Sequence, residues 1–425
     1  MNFQPVSFIR GSNIYEVNLR QFTPEGNIEA FISHLPRLKS MGVDILWFMP
    51  VTPISLKNRK GTLGSYYAAS DFESINPEYG DKNDFKNVVT EAHRLGLKVM
   101  IDWVTNHTGW DHTWTKTHPE YYMKDGNGSF MERNGWEDVI DLDYSREDTR
   151  GAMIESMAYW VRNFDLDGFR CDMAMLVPLD FWIKARQVID NIKPLLWLGE
   201  CEDPNYFQAF DILYAWEWMH LTRAVAQNQT NKEALRQMLQ AYSERKQYPK
   251  RYLYFTSNHD ENSWNGTEFE RYGSLNQTFA AISILLCDGI PLIYSGQELP
   301  LYHRLNFFDK DLIPWGTEVS GLHYFYAALL NLRKENKWYH TANRYVFHLN
   351  VLTQDSRIFS LSIGEHGDED IIAIFNLTTE LVHFKLENIT LPGVYKNVIT
   401  NYEQTINGQT NAILNAYEYR IYQRK

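Results

Sequence analysis

Short runs of β-branched and aromatic residues alternate with longer segments of helical period over most of this chain of 425 residues. That alternation predicts parallel strands joined by crossover helices. The predicted strands cover residues 13–21, 43–49, 98–104, 168–172, 195–199, 212–214, 252–257 and 290–294. The clearest predicted helices cover residues 28–41, 82–95 and 150–164. Eight strand–helix units favour an α/β fold of the closed (β/α)8 type, a TIM barrel, over an open sheet.

Two segments depart from this pattern. Residues 107–145 are rich in Gly, Asn, Asp, Trp and His and have no clear period, so they predict a small subdomain inserted after the third strand. From about Tyr345 onward, short alternating runs separated by polar turns predict a C-terminal antiparallel β-sandwich. We therefore expect a barrel domain from residues 1–106 and 146–340, an inserted subdomain at 107–145 and a β-sandwich at 341–425.

Charge and cysteine content narrow the class of protein. Lys and Arg number 41 against 53 Asp and Glu, and the resulting net charge of −12 argues against nucleic acid as a partner. No stretch approaches the ~20 apolar residues of a membrane helix, so no membrane partner is expected. Three scattered cysteines and a start, MNFQPVSFIR, that does not resemble a signal peptide lead us to expect a cytoplasmic protein.

Polar and charged residues cluster at the carboxyl ends of four predicted strands, where TIM barrels carry their reactive groups. They are Asp102, Asn106 and His107 in MIDWVTNH, Arg170 and Asp172 in GFRCD, Glu200 in WLGE, and His259 and Asp260 in TSNHD. Each one alone is explained equally well as a helix cap or a buried hydrogen-bonding group. Three acids and an arginine in one barrel mouth would be costly unless they served chemistry, so together they predict an active site.

Two carboxyl groups suffice to cleave a glycosidic bond, one as an ionised nucleophile and the other as a protonated acid. Arg170 and Asp172 are two residues apart on a strand and therefore point to the same side, where the guanidinium is expected to lower the pKa of Asp172. Glu200 follows the apolar run LLWLG. These apolar neighbours are expected to desolvate the carboxyl group of Glu200 in part and so to raise its pKa. This asymmetry assigns the nucleophile to Asp172 and the acid/base to Glu200.

These four segments resemble the signature regions of the α-amylase family, glycoside hydrolase family 13, in order and position. The resemblance implies that Asp172 is the nucleophile, Glu200 the acid/base, and Asp260 a third carboxylate that orients and distorts the sugar. It also implies that His107, Arg170 and His259 contact that sugar and that Asp102 braces the first region. The segment GSYYAASDFESINPEYG resembles the family's strand-two loop, which implies that Tyr67 stacks on the sugar at the cleavage point. IPLIYSGQE resembles its strand-eight segment, and the likeness extends over roughly residues 13–300.

The sequence departs from the family at positions that concern metal and specificity. The Lys-His pair that follows the nucleophile in many members is replaced by Met175 and Leu176. Asn106 and Asp141 match two of the family's calcium positions, but two oxygen ligands fall short of the six to eight that calcium prefers. We therefore assign no metal ligand and expect no required cofactor, while calcium stays open. The segment PEGNIEAF lacks the Asp-rich metal loop of the family's oligo-1,6-glucosidases, which favours α-1,4 specificity.

The resulting hypothesis is a retaining hydrolase that cleaves mainly α-1,4 bonds of starch, maltodextrin or malto-oligosaccharides by double displacement. One alternative is a transglycosylase or 4-α-glucanotransferase, which forms the same intermediate and transfers it to a sugar. A second alternative is a non-catalytic glucan-binding protein, against which the complete set of three acids argues. Endo or exo action and oligomeric state are left open, and of the many aromatic residues near the mouth, Trp136 and Trp264 among them, only Tyr67 is assigned a role.

Overall fold

The computed structural model describes residues 3–245, 250–340, 347–348, 352–364 and 369–425. The strands are β1 (Ile14–Val17), β2 (Ile45–Phe48), β3 (Lys98–Val104), β4 (His107–Gly109), β5 (Val139–Asp141), β6 (Gly168–Asp172), β7 (Leu196–Gly199), β8 (Ile212–Tyr214), β9 (Arg251–Tyr254), β10 (Gly289–Tyr294), β11 (Phe347–His348), β12 (Ile358–Ile363), β13 (Ile371–Asn376), β14 (Val382–Lys385), β15 (Gly393–Asn397), β16 (Glu403–Ile406), β17 (Asn411–Leu414) and β18 (Tyr419–Arg424). The α-helices are α1 (Leu19–Phe22), α2 (Ile28–Ile32), α3 (Leu35–Met41), α4 (Lys82–Arg94), α5 (Trp114–Thr117), α6 (Glu147–Phe164), α7 (Leu179–Ile189), α8 (Trp216–Ala226), α9 (Glu233–Arg245), α10 (Glu268–Tyr272), α11 (Asn276–Leu285), α12 (Gly321–Glu335) and α13 (Lys337–His340).

Eight parallel strands close into a barrel in the order β1-β10-β9-β8-β7-β6-β3-β2, which confirms the predicted TIM barrel. Several predicted elements are longer than the observed ones, among them the first and seventh strands of the barrel. The first strand ends at Val17, and α1 follows it. The predicted helix 28–41 is divided into α2 and α3, because Pro36 lies in the first turn of α3 and cannot donate a hydrogen bond to the carbonyl of Ile32.

The barrel has two separate hydrophobic layers. Apolar side chains that point inward, such as Trp47, Met100 and Leu198, form one buried cluster inside the strands. Phe169 and Cys171 belong instead to the larger cluster between the strands and the surrounding helices. Because side chains alternate along β6, this outward placement directs Arg170 and Asp172 into the barrel, as the sequence predicts.

The segment after β3 leaves the barrel as an antiparallel pair of short strands, β4 and β5, in which His107 is the partner of Asp141. It packs closely on the loop after β2. A Cβ atom on Gly109 would lie 2.2 Å from the Cβ of Ser55, so only glycine permits this approach. The insertion thus forms one side of the barrel mouth.

The C-terminal strands form a six-stranded antiparallel sheet, β11-β12-β13-β18-β15-β16, and a two-stranded sheet, β14-β17, with a separate apolar cluster between them. This confirms the predicted β-sandwich. The boundary predicted at residue 341 and the onset near Tyr345 lie outside the described residues, and the domain bounds stay predictions. Among the described residues, no helix has the length and apolar character needed to cross a membrane.

Candidate active site

The three predicted catalytic acids line one cavity at the carboxyl end of the barrel. Asp172 ends β6, Glu200 directly follows β7, and Asp260 lies in the loop after β9. The cavity has a volume of about 360 Å³. It is lined by Lys60, Ser65, Tyr67, His107, Trp136, Asp138, Val139, Asp172, Met173, Glu200, His259, Asp260, Trp264, Phe307 and Phe308. Parallel strands deliver their loops to the same end of a barrel, which is why residues so distant in sequence meet here.

Arg170 lies at the centre of the acidic cluster and is fully buried. One guanidinium nitrogen, Nη1, donates to Asp172 Oδ1 at 2.8 Å, and the other, Nη2, donates to Glu200 Oε2 at 2.6 Å. Nη1 also donates to Asp102 Oδ1 at 2.9 Å. Since the guanidinium is a rigid planar fork, these bonds fix the two reactive carboxyl groups relative to each other.

The expectation that Arg170 depresses the pKa of Asp172 is wrong in its net direction. Burial raises the pKa of Asp172, and the neighbouring charge of Asp260 raises it further. Arg170 does lower the pKa of Asp172, but this guanidinium is shared among three carboxyl groups and does not offset the loss of hydration. Among the described residues, none donates a hydrogen bond to Asp172 Oδ2, so this oxygen is available to a ligand.

Glu200 has the raised pKa that its apolar sequence context predicts. Burial is the main cause, and Arg170 opposes it. The hydrogen bonds given to Glu200 converge on Oε2, which accepts from Arg170 and, at 2.9 Å, from the backbone N–H of Met173. Among the described residues, none donates a hydrogen bond to Oε1 of Glu200. A proton on Oε1 can therefore face the cavity.

Asp260 is the most exposed of the three acids, with 37% of its side chain accessible, and His259 Nε2 lies 3.3 Å from Asp260 Oδ2. On the other side of the imidazole ring, Nδ1 lies 2.5 Å from Glu16 Oε1. Burial lowers the pKa of His259, but the negative charges of Asp260 and Glu16 outweigh burial and raise the pKa to about 9. His259 is therefore an imidazolium at neutral pH.

Tyr67 and Asp102 connect the remaining polar groups. The Tyr67 hydroxyl donates to Asp102 Oδ2 at 3.0 Å and lies 2.8 Å from His259 Nε2. Burial raises the pKa of Asp102 to about 7, against the lowering effect of Arg170. The ring of Tyr67 is nearly parallel to that of Phe307, with the ring centres 6.2 Å apart. Tyr67 lines the cavity as predicted, and its stacking on a sugar stays a prediction.

His107 is the last of the predicted substrate contacts and lines the cavity, as Tyr67 and His259 do. Asp102 and Arg170, also predicted to serve the substrate, are buried behind the lining residues. The ring of His107 packs edge-on against the ring of Trp136, with the ring centres 5.3 Å apart. Burial lowers the pKa of His107 to about 4, so this histidine is neutral where His259 is charged. The imidazolium of His259 can therefore only donate hydrogen bonds, whereas the neutral imidazole of His107 can donate one and accept one.

The residues at the expected calcium positions do not fit a cation. Arg133 Nε donates to Asp141 Oδ2 at 2.7 Å, and the amide of Asn106 donates to Oδ1 at 3.4 Å. Both oxygens of Asp141 are thus occupied by N–H donors, one of which is itself cationic. Among the described residues, no group of three or more His, Cys, Asp or Glu side chains is arranged to hold a metal ion.

Sequence reasoning missed several residues of the cavity. Two aromatic residues near the mouth have no role assigned from the sequence, Trp136 and Trp264. No sequence pattern points to four further lining residues, which are Lys60, Asp138, Phe307 and Phe308. Trp264 lies in a single π-helical turn after Asp260, a local geometry that no residue pattern announces. Glu16, which does not line the cavity but contacts His259, did have a signal, since it is an acid within the short buried strand β1.

Known proteins share both the sequence pattern and the fold. The family described as "Alpha amylase, catalytic domain" matches residues 4–137 and 121–312. The alpha-amylase MalA of Haloarcula japonica is 28% identical over an alignment of 343 residues that covers 76% of this chain and 49% of MalA. The chain spans half or less of the length of the curated relatives it matches.

Solved structures match the chain over almost its whole length. The maltogenic alpha-amylase AmyB of Thermotoga neapolitana is 30% identical, with a TM-score of 0.88 over 98% of this chain and 99% of AmyB. An alpha-amylase of Lactobacillus plantarum is 28% identical, with a TM-score of 0.86 over 98% of this chain and 99% of the other. Because the family match covers well over half of the sequence, the chain belongs to the α-amylase family, glycoside hydrolase family 13.

Proposed function

We propose that this protein is a retaining glycoside hydrolase that cleaves α-1,4-glucosidic bonds of α-glucans and malto-oligosaccharides. The observation that carries the proposal is the single guanidinium of Arg170, which binds both Asp172 and Glu200 in one cavity. A retaining mechanism requires two carboxyl groups about 5–5.5 Å apart, closer than the ~6.5–9.5 Å that would admit a water molecule between them. One guanidinium shared by the two carboxyl groups supports the shorter separation.

In the first step, Asp172 Oδ2 attacks the anomeric carbon while Glu200 gives its proton to the departing oxygen. The bond to the leaving sugar breaks, and a glycosyl ester forms on Asp172. In the second step, Glu200 removes a proton from water, the water oxygen attacks the same carbon, and the carboxylate of Asp172 is released. Two inversions at this carbon preserve the α-configuration.

The position of Arg170 suits this alternation of charge. Asp172 is anionic before the first step and neutral as an ester, whereas Glu200 is neutral before that step and anionic after it. Because Arg170 contacts both, a full positive charge stays beside whichever carboxyl group is ionised. Asp260 and the His259 imidazolium supply an acceptor and a donor for sugar hydroxyls at the same centre.

Transfer to a sugar acceptor is the second candidate activity. Met175, at the position where the family resemblance implies a lysine in many members, is 42% exposed and presents an uncharged side chain there, which favours this candidate. Analysis of products from maltotriose separates the two activities, because transfer gives oligomers longer than the substrate and hydrolysis does not. A non-catalytic role is disfavoured, since all three acids line the cavity.

The cellular context is proposed as cytoplasmic, without nucleic acid or membrane as partner. The three cysteines, Cys171, Cys201 and Cys287, are free and buried, as suits a reducing compartment. One relative, from Bacillus subtilis and 26% identical, is named "Intracellular maltogenic amylase". We also propose that calcium is not required, because Arg133 occupies the carboxylate of Asp141 that would serve as a ligand.

The proposed function is tested with maltoheptaose and the purified chain. Wild-type protein should release shorter oligosaccharides whose new reducing ends are first formed as the α-anomer, which proton NMR detects before mutarotation. Asp172→Asn should abolish this release while the thermal unfolding curve still shows a folded protein. Products formed first as the β-anomer, or activity retained by Asp172→Asn, would contradict the proposal.

A further inference from the structure

The loop at residues 53–65, which follows β2, is bonded to the segments on both sides of it. Toward the inserted segment, Asp111 Oδ2 accepts from the backbone N–H groups of Leu56 and Lys57 at 2.9 and 3.1 Å. Toward the loop after β10, the N–H of Leu63 donates to the carbonyl of Phe308 at 3.0 Å. These contacts join three loops into one continuous rim around part of the cavity, which we call the collar.

The collar is also anchored to the barrel below it. The fully buried Arg20 donates from Nη1 to the carbonyl of Gly64 at 3.0 Å and from Nη2 to that of Leu63 at 3.3 Å. Its ring contact with Tyr66, 4.1 Å from guanidinium carbon to ring centre, fixes the guanidinium further. A loop held by three sets of hydrogen bonds resists displacement by a ligand.

A charged pair closes the inner face of the collar. Lys60 Nζ, from the loop, lies 3.3 Å from Asp138 Oδ1, from the inserted segment, and both side chains line the cavity that holds the catalytic acids. Asp138 is only 8% exposed at its side chain, and separating the pair would leave its charge poorly hydrated. Trp136 and Phe308 line the same cavity beside this pair.

The opposite side of the mouth is lined differently by the residues that the structure describes. In the ring of eight strands, β8 lies diametrically across from β2, and β7, which Glu200 directly follows, is next to β8. Of the described residues in the connection from β8 to β9, none lines the cavity. Glu200 is assigned to protonate the leaving group, so the leaving chain departs on this side and the other sugar faces the collar.

We infer that the Lys60–Asp138 pair makes the cavity a closed pocket for the non-reducing end of an α-glucan, so that the enzyme acts from chain ends. This inference rests on the proposed hydrolase function and specifies its substrate. A chain running through the site would have to break the ion pair and displace the collar backbone. The cavity volume of about 360 Å³, near the lower limit of about 300–1,000 Å³ for ligand pockets, agrees with a short bound end.

The test compares maltoheptaose with the same sugar capped at its non-reducing glucose by an ethylidene acetal. Wild-type protein should cleave free maltoheptaose, with glucose or maltose as the first product, and should cleave the capped sugar about 10²-fold more slowly in kcat/KM. Comparable rates on both sugars would overturn the inference while leaving the hydrolase function intact. Activity on neither sugar would contradict the proposed function and, with it, this inference.

Substitutions then test whether the Lys60–Asp138 ion pair is the barrier that closes the cavity. Lys60→Ala and Asp138→Ala should each raise the kcat/KM for the capped sugar relative to the free sugar by about tenfold or more, since each opens the closed side. Lys57→Ala is the matched control, because its ammonium lies over the ring of Trp110 at 5.1 Å and outside the cavity. It should leave the ratio unchanged. If Lys60→Ala and Asp138→Ala both discriminate against the cap as wild type does, the ion pair is not the barrier.

Discussion

Glu16 Oε1 lies 2.5 Å from Nδ1 of His259, and both side chains are buried inside the barrel mouth. Together with the charge of Asp260, this contact keeps a positive charge on His259, which also faces the Tyr67 hydroxyl. Glu16 does not line the cavity itself, so we regard it as a positioning residue that acts through His259.

Glu16→Gln keeps the shape of this contact and removes its charge, so the pKa of His259 should fall from about 9. The alkaline limb of kcat/KM should therefore begin at lower pH, and kcat/KM at pH 8 should drop about 10- to 100-fold, as expected for a lost charged hydrogen bond worth about 1.5–3 kcal/mol. Glu298→Gln is the control, since it alters a buried acid bonded to Tyr15 and Arg37. An unshifted alkaline limb in Glu16→Gln would show that Glu16 has only a structural role.

The same contact predicts a pH dependence of stability. The pKa of His259 is raised to about 9 in the folded protein, above the ~6.5 of an unfolded chain. Its contribution to the free energy of unfolding is therefore complete below about pH 6.5 and is lost as pH rises through about 9. The difference in Tm between wild type and Glu16→Gln should shrink over this interval, and a difference that grows toward pH 9 would contradict the assignment.

Arg170→Lys tests whether the fork geometry matters beyond its charge. A single ammonium cannot occupy both guanidinium positions that now bind Asp172 and Glu200. We expect kcat to fall about 10²- to 10³-fold, the range seen when one preorganised electrostatic donor is removed. Near-normal kcat in a folded Arg170→Lys protein would mean that positive charge alone is sufficient.

Glu200→Gln should lower kcat on maltoheptaose by about 10²- to 10⁴-fold, because proton donation to the leaving oxygen is lost. An α-glucosyl fluoride needs little protonation to leave, so its first step should proceed at a near-normal rate in this variant. A rapid burst of fluoride followed by slow turnover is the expected result. Equal losses on both substrates would remove Glu200 from the acid role.

Calcium independence is tested by treating the protein with EDTA, which should change neither Tm nor activity, since Asp141 already binds Arg133. Arg133→Ala should destabilise the insertion by about 1–2 kcal/mol, less than a fully buried pair because Arg133 is half-exposed. Arg94→Ala, which breaks an exposed pair with Glu91, should cost less than about 0.5 kcal/mol. A loss of Tm in EDTA that added calcium restores would contradict the proposal.

The periodicity of the sequence was sufficient for the barrel because each strand is a short apolar run and each long helix has a repeating apolar face. Periodicity did not predict the break between α2 and α3 or the early end of β1. These boundaries depend on where backbone hydrogen bonding ends, as it does at Pro36. The polar ends of four strands were enough to predict all three acids. The alternation of side chains along β6 also predicted that Asp172 points into the barrel, and its neighbour Cys171 does pack outward.

What the sequence could not give is the balance of opposing forces inside the site. It predicted a lowered pKa for Asp172 from the presence of Arg170, and the raised pKa depends on burial and on Asp260, which is far away in sequence. Lys60 and Asp138 lie in loops whose pairing arises only when the insertion folds over the mouth. Long-range contacts between loops leave no periodic signal.

Trapping the intermediate tests the central claim most directly. Wild-type protein is incubated with a fluorinated maltosyl fluoride, which forms the glycosyl ester quickly and hydrolyses it slowly, and the digested protein is analysed by tandem mass spectrometry. One added fluoromaltosyl group is expected on the peptide that spans β6, attached at Asp172. A sugar attached to any other residue, or turnover of this reagent with inversion and no labelled peptide, would contradict the central claim.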